Sequence, residues 1–499
     1  MASSERKGVD MTSGAIAPKL FHLAWPLVAG NLLQTVYNLA DLFWVGRVSS
    51  EAVAAVSLMF PLTWMFVSTA IGITAATIAL VSQYVGADDD RQADRVVAQT
   101  ILLTLGVASV LTLLGWVFRR QLLTLIGAEG QVYTEALAYI EVIFFALPLT
   151  FLFFAFRASL QGAGDTKTAM WLMVISAGLN VVLDPFLILG WGPAPALGTR
   201  GAGWATFIAR GFATGTGIFI LLRGGFGVRL RLGDLVPNPA ILTRLVSIGY
   251  PATIDGWARS FAAVTMAAFV TPFGTAAVAA YGIGIRLMSV SWGVAGAVGQ
   301  ATSTGVGQNL GAETPDRAAR VTLVATGGTM AVLFAAAGLC VAFPEVAIGV
   351  FDNSPDVLAE GRQFLYIVGP FWAFFGGTMV IQGAFRGAGQ TKVAMALSFL
   401  ARWVFRIPVA IVVAFGAVTI PGTGLVVPGL DVGVSGIWLA FSLGAFLTFL
   451  VSVFWFRLGR WTEGVIDQEE TPAVDQPPES TPAEGEGEER GLDSETVDD

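Results

Sequence analysis

The sequence predicts an all-α polytopic membrane protein with twelve transmembrane helices, in two six-helix lobes related by pseudo-twofold symmetry. Three observations carry that prediction. Mean hydropathy is +0.70 and 13% of residues are charged, against about 25% in an ordinary soluble domain. Apolar stretches recur at the length of roughly 20 residues that crosses a bilayer. The chain also repeats itself at a fixed offset of 225 positions.

In chain order, residues 1–17 are polar and small and lack the apolar core of a cleavable signal. They read as a cytoplasmic N-terminal lead. Spans are expected at 18–46, 52–85, 91–118, 132–160, 167–190 and 200–223, which form an N-lobe over 18–223. Residues 224–240 hold Arg229, Arg231, Pro237 and Pro239 and read as a cytoplasmic linker. A C-lobe over 241–460 follows, with spans at 241–270, 276–309, 315–343, 355–386, 391–416 and 432–457. From Glu463 to Asp499 there are fourteen acidic residues and one basic, Arg490, so the net charge of −8 conceals a core of +5. With its Pro, Gly, Ser and Thr content, 461–499 reads as a disordered acidic tail.

Basic residues set the orientation. With the N-terminus in the cytoplasm, that side collects Lys19, Arg91, Arg95, Arg157, Lys167, Arg229, Arg231, Arg317, Arg386, Lys392 and Arg457, among others. The outer loops hold mainly Arg47, Arg119, Arg120 and Arg200. Both termini are therefore expected in the cytoplasm and the chain in the plasma membrane.

The repeat is specific. Pro26 recurs as Pro251, Ala52-Val-Ala-Ala55 as Ala277-Val-Ala-Ala280, and Gln83-Tyr-Val-Gly86-Ala87 as Gln308-Asn-Leu-Gly311-Ala312. Gly162-Ala-Gly-Asp-Thr-Lys167 recurs as Gly387-Ala-Gly-Gln-Thr-Lys392. Six helices per half is an even number, so the halves share one orientation and enclose a central cleft. The two hexapeptides read as turns in which threonine caps the next helix. No strand precedes them, so they are not nucleotide sites.

The chemistry is sparse. Cys340 and His22 are single copies, which leaves no internal disulfide and too few ligands for a transition-metal site. No Ser-His pairing or Asp-Asp-x-x-Asp motif supports an enzyme, and no cofactor or nucleic-acid partner is expected. The informative stretch runs from Pro26 to Asp41. Gln34, Tyr37, Asn38 and Asp41 fall on one face of the first helix. A carboxylate at membrane depth usually faces a cavity, a partner or an ion path. Pro26, well inside the helix, can kink it. On the fifth helix, Ser176, Asn180 and Asp184 share another face. Asp41 and Asp184 both fall in the outer halves of their spans, so they could share a depth. There, repulsion and burial favour neutral carboxyls, as a proton carrier needs. Na⁺ would use the same oxygens with Asn180, and the residues leave that choice open. Tyr37, Trp44, Met65, Tyr139 and Met173 are N-lobe candidates for an adaptable apolar cleft.

These motifs together resemble the multidrug and toxic-compound extrusion (MATE) family. They are Leu23-Ala-Trp-Pro26 with Asp41 fifteen residues on, Val45-Gly46, Gln83-Tyr-Val-Gly86, Gln161-Gly-Ala-Gly-Asp-Thr-Lys167 and the second-half copies. The resemblance covers roughly 15–460, in the prokaryotic DNA-damage-inducible-type branch. It implies a monomeric transporter that exports amphipathic, often cationic, organic compounds by alternating access, in antiport with H⁺ or Na⁺. It places the ion site at Asp41, Asn180 and Asp184. The second half departs from the first: the mate of Asp41 is Met266 and that of Asp184 is Val409. Asp255 and Arg259 read as an ion pair. Arg210, Arg286, Arg402 and Arg406 are intramembrane cations without evident partners, and they keep open a flippase for a lipid-linked or polyisoprenoid precursor.

Overall fold

The structure is a computed structural model that describes residues 8–193, 195–419 and 426–466. The N-lobe consists of α1 (Ile16–Val45), α2 (Ser50–Gly86), α3 (Asp90–Leu125), α4 (Gly130–Gly162), α5 (Thr166–Leu189) and α6 (Thr199–Arg223). The C-lobe consists of α7 (Pro239–Val270), α8 (Thr275–Gly311), α9 (Pro315–Ala342), α10 (Pro355–Gly387), α11 (Thr391–Ala414) and α12 (Val434–Arg457). α10 tightens into a 3-10 turn at Gly369–Phe371, and α11 widens into a π-helix over Leu400–Arg406. A short helix, Pro344–Gly349, precedes α10, and an antiparallel ribbon of β1 (Ala417–Thr419) on β2 (Val426–Pro428) precedes α12.

Ten of these helices are long and apolar enough to cross a membrane. α1 and α7 have the length, at 30 and 32 residues, but are interrupted by polar side chains. They are the first helices of the two lobes, and both line the lobe interface. α3 runs past its expected end at 118 because Arg119 does not leave for a loop. It folds back onto Glu141 at 2.9 Å and over the Trp116 ring at 4.4 Å, satisfying its charge beside the helix.

Local chemistry sets the helix starts. Ser49, Asp89, Asp165 and Asn238 each accept a backbone N–H from the first turn of α2, α3, α5 and α7. The cap of the first hexapeptide is thus Asp165, not the expected threonine; Thr166 is already helical. Gly164 and its mate Gly389 make their turns at φ +84° and +76°, where only glycine is unstrained. Asp88 and Glu313, also 225 apart, share φ values of 58° and 54°. The backbone repeats even where the side chains differ.

The lobes meet along half of their length. The face at which α1 begins and α12 ends is termed the terminal face. In the half nearest it, α2 and α8 are buried on nearly all sides; in the other half each is buried on one side only. α2 crosses α7 at Gly72 and Gly249, where a Cβ on Gly72 would lie 2.7 Å from Gly249 O. The mates of that pair, Ala297 and Ala24, are buried in one cluster at the α1–α8 crossing. Small residues let membrane helices approach closely. At the terminal face a Cβ on Gly86 would lie 2.0 Å from Gln308 O, and one on Gly311 would lie 1.9 Å from Gln83 O. Gln83 Nε2 donates to Gly387 O at 2.9 Å, and Thr304 Oγ1 donates to Gln161 O at 3.2 Å. The cleft is closed here and opens toward the opposite face.

Two segments expected outside the fold pack into this seam. Met11 is fully buried; its N–H donates to Gln308 Oε1 at 2.9 Å, and its carbonyl accepts from Arg317 Nε at 2.9 Å. Beyond the expected C-lobe boundary at 460, Trp461 stacks on Phe456 at 4.6 Å, and Val465 N–H donates to Gln83 Oε1 at 2.8 Å. Isolated apolar residues within polar stretches explain both differences. The rest of the acidic tail, 467–499, lies outside the described residues. The linker is also tied down: Gln99 Nε2 donates to Asp234 O and Val236 O, both at 2.8 Å, and Asp94 accepts Arg231 Nε at 3.0 Å.

Candidate functional site

α1 packs against α5, with α6 behind them, and this packing brings the N-lobe polar residues together. Asp41, Asn180 and Asp184 are all buried. Turned so that its nitrogen faces the carboxylate, the Asn180 amide donates to Asp184 Oδ2 at 3.2 Å and accepts Thr206 N–H at 3.2 Å. Tyr37 Oη and Thr206 Oγ1 share a hydrogen bond of 3.1 Å. The two carboxylates are close enough for their charges to repel, and Oδ1 of each is buried without a partner. No cation pairs with either carboxylate among the described residues.

The remaining candidates divide. Tyr139 is buried within the field of both aspartates. Gln34 donates to Asn38 Oδ1 at 2.9 Å and accepts from Arg210 Nη2 at 3.3 Å. Asn38 itself is exposed, so the polar face of α1 splits between the lobe interior and the cleft. Ser176 is buried one turn from Asn180, and Met173 is buried in the apolar core of the lobe. Met65 is half-buried and gives its carbonyl to Trp257 Nε1 at 3.2 Å across the lobes. Trp44 meets Trp191 edge-on at the far end of α1, with ring centroids 5.4 Å apart. Pro26 is buried within α1, which is helical throughout.

Sequence reasoning missed Thr206, which joins α6 to both site helices. Its signal was weak, since buried threonines are common in membrane helices. Arg157, expected at the cytoplasmic end of the fourth span, lies inside α4 over the Phe153 ring at 5.7 Å, with Nε unpartnered. Arg210 is buried over the same ring at 4.2 Å. The N-lobe thus holds an anionic site near one end of α1 and a cationic pair nearer its middle.

The C-lobe is built differently. Met266 is buried where the N-lobe has Asp41. Asp255 accepts from Arg259 Nη2 at 2.6 Å and from Arg386 Nη2 at 3.4 Å. The expected ion pair is therefore a triad; Arg386, at the end of the expected tenth span, sits in the last turn of α10. Arg402 Nη1 donates to Ser398 O at 3.0 Å, and Arg406 lies over the Phe441 ring at 4.0 Å. Arg286 is exposed and joins neither group.

Comparison with known proteins agrees with this architecture. The MatE family model matches residues 26–186 and again 251–412, one match in each lobe. The chain is 30% identical over 401 residues to the probable multidrug resistance protein YoeA of Bacillus subtilis, covering 78% of this chain and 85% of that protein. It is 28% identical over 360 residues to the FAD transporter of Shewanella oneidensis, covering 72% and 79%. Its fold matches that of a multidrug resistance MATE family transporter solved in an outward-facing conformation, with TM-score 0.80, 23% identity and coverage of 91% and 97%. The two matches, which begin 225 residues apart at the mates Pro26 and Pro251, show that this multi-pass membrane chain belongs to the MATE family of multidrug efflux transporters.

Proposed function

We propose that the chain is a secondary-active exporter of small amphipathic organic compounds, driven by H⁺ or Na⁺ influx through the N-lobe. The observation that carries this reading is the buried pair Asp41 and Asp184, without a paired cation among the described residues, with Asp184 linked to Tyr37 through Asn180 and Thr206. Two carboxylates in a dry site favour taking up a proton or a cation over remaining charged. Either ligand relieves the repulsion between α1 and α5. A cleft closed at the terminal face and open at the other supports alternating access, with the lobes rocking about the seam. The excess of basic residues at the terminal face supports a cytoplasmic location for that face and both termini, in the plasma membrane. No resident cofactor is needed, and one chain holds the whole cleft, so a monomer suffices. Membrane lipids surround it. The family does not favour the flippase alternative.

Pro26 supplies a lever for coupling. Asp41 stands fifteen residues further along α1, about 22 Å at 1.5 Å per residue. A change of bend at Pro26 would swing the segment that holds Asp41. Proteoliposomes loaded with a fluorescent organic cation, with H⁺ and Na⁺ gradients imposed separately, test the reading. One gradient should drive efflux, and Asp41→Asn should reduce it to the leak of empty liposomes. Transport by both Asp41→Asn and Asp184→Asn at the native rate would remove the N-lobe ion site from the mechanism.

A further inference from the structure

The C-lobe holds an unbalanced charge that the coupling reading leaves unused. Arg259, Arg386 and Arg402 lie within electrostatic reach of a single carboxylate, Asp255, and Arg406 lies within reach of Arg402. Asp255 is consumed by Arg259 and Arg386. Arg402 is held by the carbonyl of Ser398 on its own helix. Arg406 is more than nine-tenths buried, and its Nε has no partner. Three positive charges in excess at membrane depth are costly unless they face water or an anion.

Three of these arginines face a partly open cavity of about 20 Å³. Arg259, Arg402 and Arg406 line it, with Gln382 on one wall and Phe375 and Met379 on another. Arg402 and Arg406 both stand on the π-helical stretch Leu400–Arg406 of α11. Residues four apart share a helix face, and π-bulges inside α-helices frequently lie at functional sites. The planar guanidinium forks match an oxyanion in geometry as well as charge. At about 20 Å³ the cavity admits the oxyanion head alone, and an attached apolar body would stay outside it beside Phe375 and Met379.

We propose that this C-lobe cavity is an anion-binding site, taking the carboxylate or phosphate group of an amphipathic organic solute on Arg402 and Arg406. It stands apart from the N-lobe ion site and needs no gradient to fill. The shared chemistry is the oxyanion, which a free inorganic ion could also supply.

Binding to the full chain in uncharged detergent tests this, by calorimetry and thermal unfolding with sodium benzoate and, separately, inorganic phosphate. Saturable benzoate binding that phosphate weakens identifies an organic anion. Binding of phosphate without benzoate identifies a free oxyanion at the same arginines. Arg406→Gln should weaken either ligand roughly tenfold or more, the loss of one charge-assisted hydrogen bond. Because that variant could also loosen the fold, Gln382→Glu is the second arm. It places a carboxylate against the arginines, so it should abolish anion binding while the unfolding temperature stays at or above the native value. Neither anion binding at all, or undiminished binding in a folded Gln382→Glu, overturns the proposal.

Discussion

Asp41 and Asp255 are both buried carboxylates on the first helix of their lobe, and their surroundings are opposite. Among the described residues no cation pairs with Asp41, and one of its oxygens has no partner. Asp255 is gripped by two arginines, with a third, Arg402, close by. The seam between the lobes shows the reverse relation: Gln83 and Gln308 each accept an N–H from a terminal segment, Val465 and Met11, and Gly86 and Gly311 each abut the backbone of the facing glutamine. The repeat has kept the residues that close the cleft and diverged in those that hold charge. An unpaired carboxylate is free to exchange a proton or cation; a saturated one is a structural anchor.

The same substitution should therefore do opposite things in the two lobes. Asp255→Asn leaves two arginines without their counter-charge. Breaking a buried ion pair costs about 3–5 kcal/mol. The partners here retain 31% and 27% exposure, which places the loss at the low end, about 3 kcal/mol. Asp41→Asn removes a buried charge that nothing balances, so its unfolding temperature should equal or exceed the native value while gradient-driven transport disappears. Thermal unfolding of both variants in one detergent decides the matter. Equal destabilisation by the two would erase the distinction between coupling carboxylate and anchor.

The seam predicts symmetric behaviour instead. A methyl group at Gly86 or Gly311 meets the backbone of the facing helix, which cannot yield as a side chain can. Gly86→Ala and Gly311→Ala should each prevent closure at the terminal face and slow transport by a similar large factor. Distances between spin labels across that face should lengthen in both. A large effect at one position and none at the other would break the pseudo-symmetry argued for the gate.

A smaller effect is expected at Thr206. Thr206→Val keeps the shape and removes the hydroxyl that meets Tyr37. The net value of such a bond is about 1 kcal/mol. Transport should slow by a few-fold, with the unfolding temperature little changed and the N-lobe carboxylates still essential.

How far the sequence could be read follows the same division. The 225-residue offset, the span lengths and the α1 and α5 polar faces were legible because periodicity and repetition are local patterns. Arg157, Arg386 and Thr206 were not. Arginine at the end of a span reads only as a cation that sets orientation until the packing shows a buried carboxylate or an aromatic ring beside it, and threonine carries no signal of its own. Met11 and Trp461 escaped for a related reason. A single apolar residue in a polar stretch looks incidental until the surface that receives it is known.

The smallest effect lies outside the spans, where carboxylate and arginine meet at a surface. Asp234, in the linker, accepts both terminal nitrogens of Arg91 at the start of α3. The Arg91 hydrogen bond holds the carboxyl below its ordinary value of 3.8, and the charges of Arg91, Arg95 and Arg231 help. Because the folded-state value is depressed, the pair contributes stability above the unfolded value of 3.8. That contribution is lost as pH falls through the lower folded value. Arg91 is 43% exposed, and solvent-screened pairs of this kind contribute about 0–1 kcal/mol. Asp234→Asn should therefore cost at most about 1 kcal/mol at pH 7, less in high salt, and nothing once the native carboxyl is itself protonated. Unfolding curves across pH 2 to pH 7, values chosen to bracket ordinary carboxylate titration, measure it. A loss at Asp234 as large as that at Asp255 would mean that burial is not what separates an anchor from a surface latch.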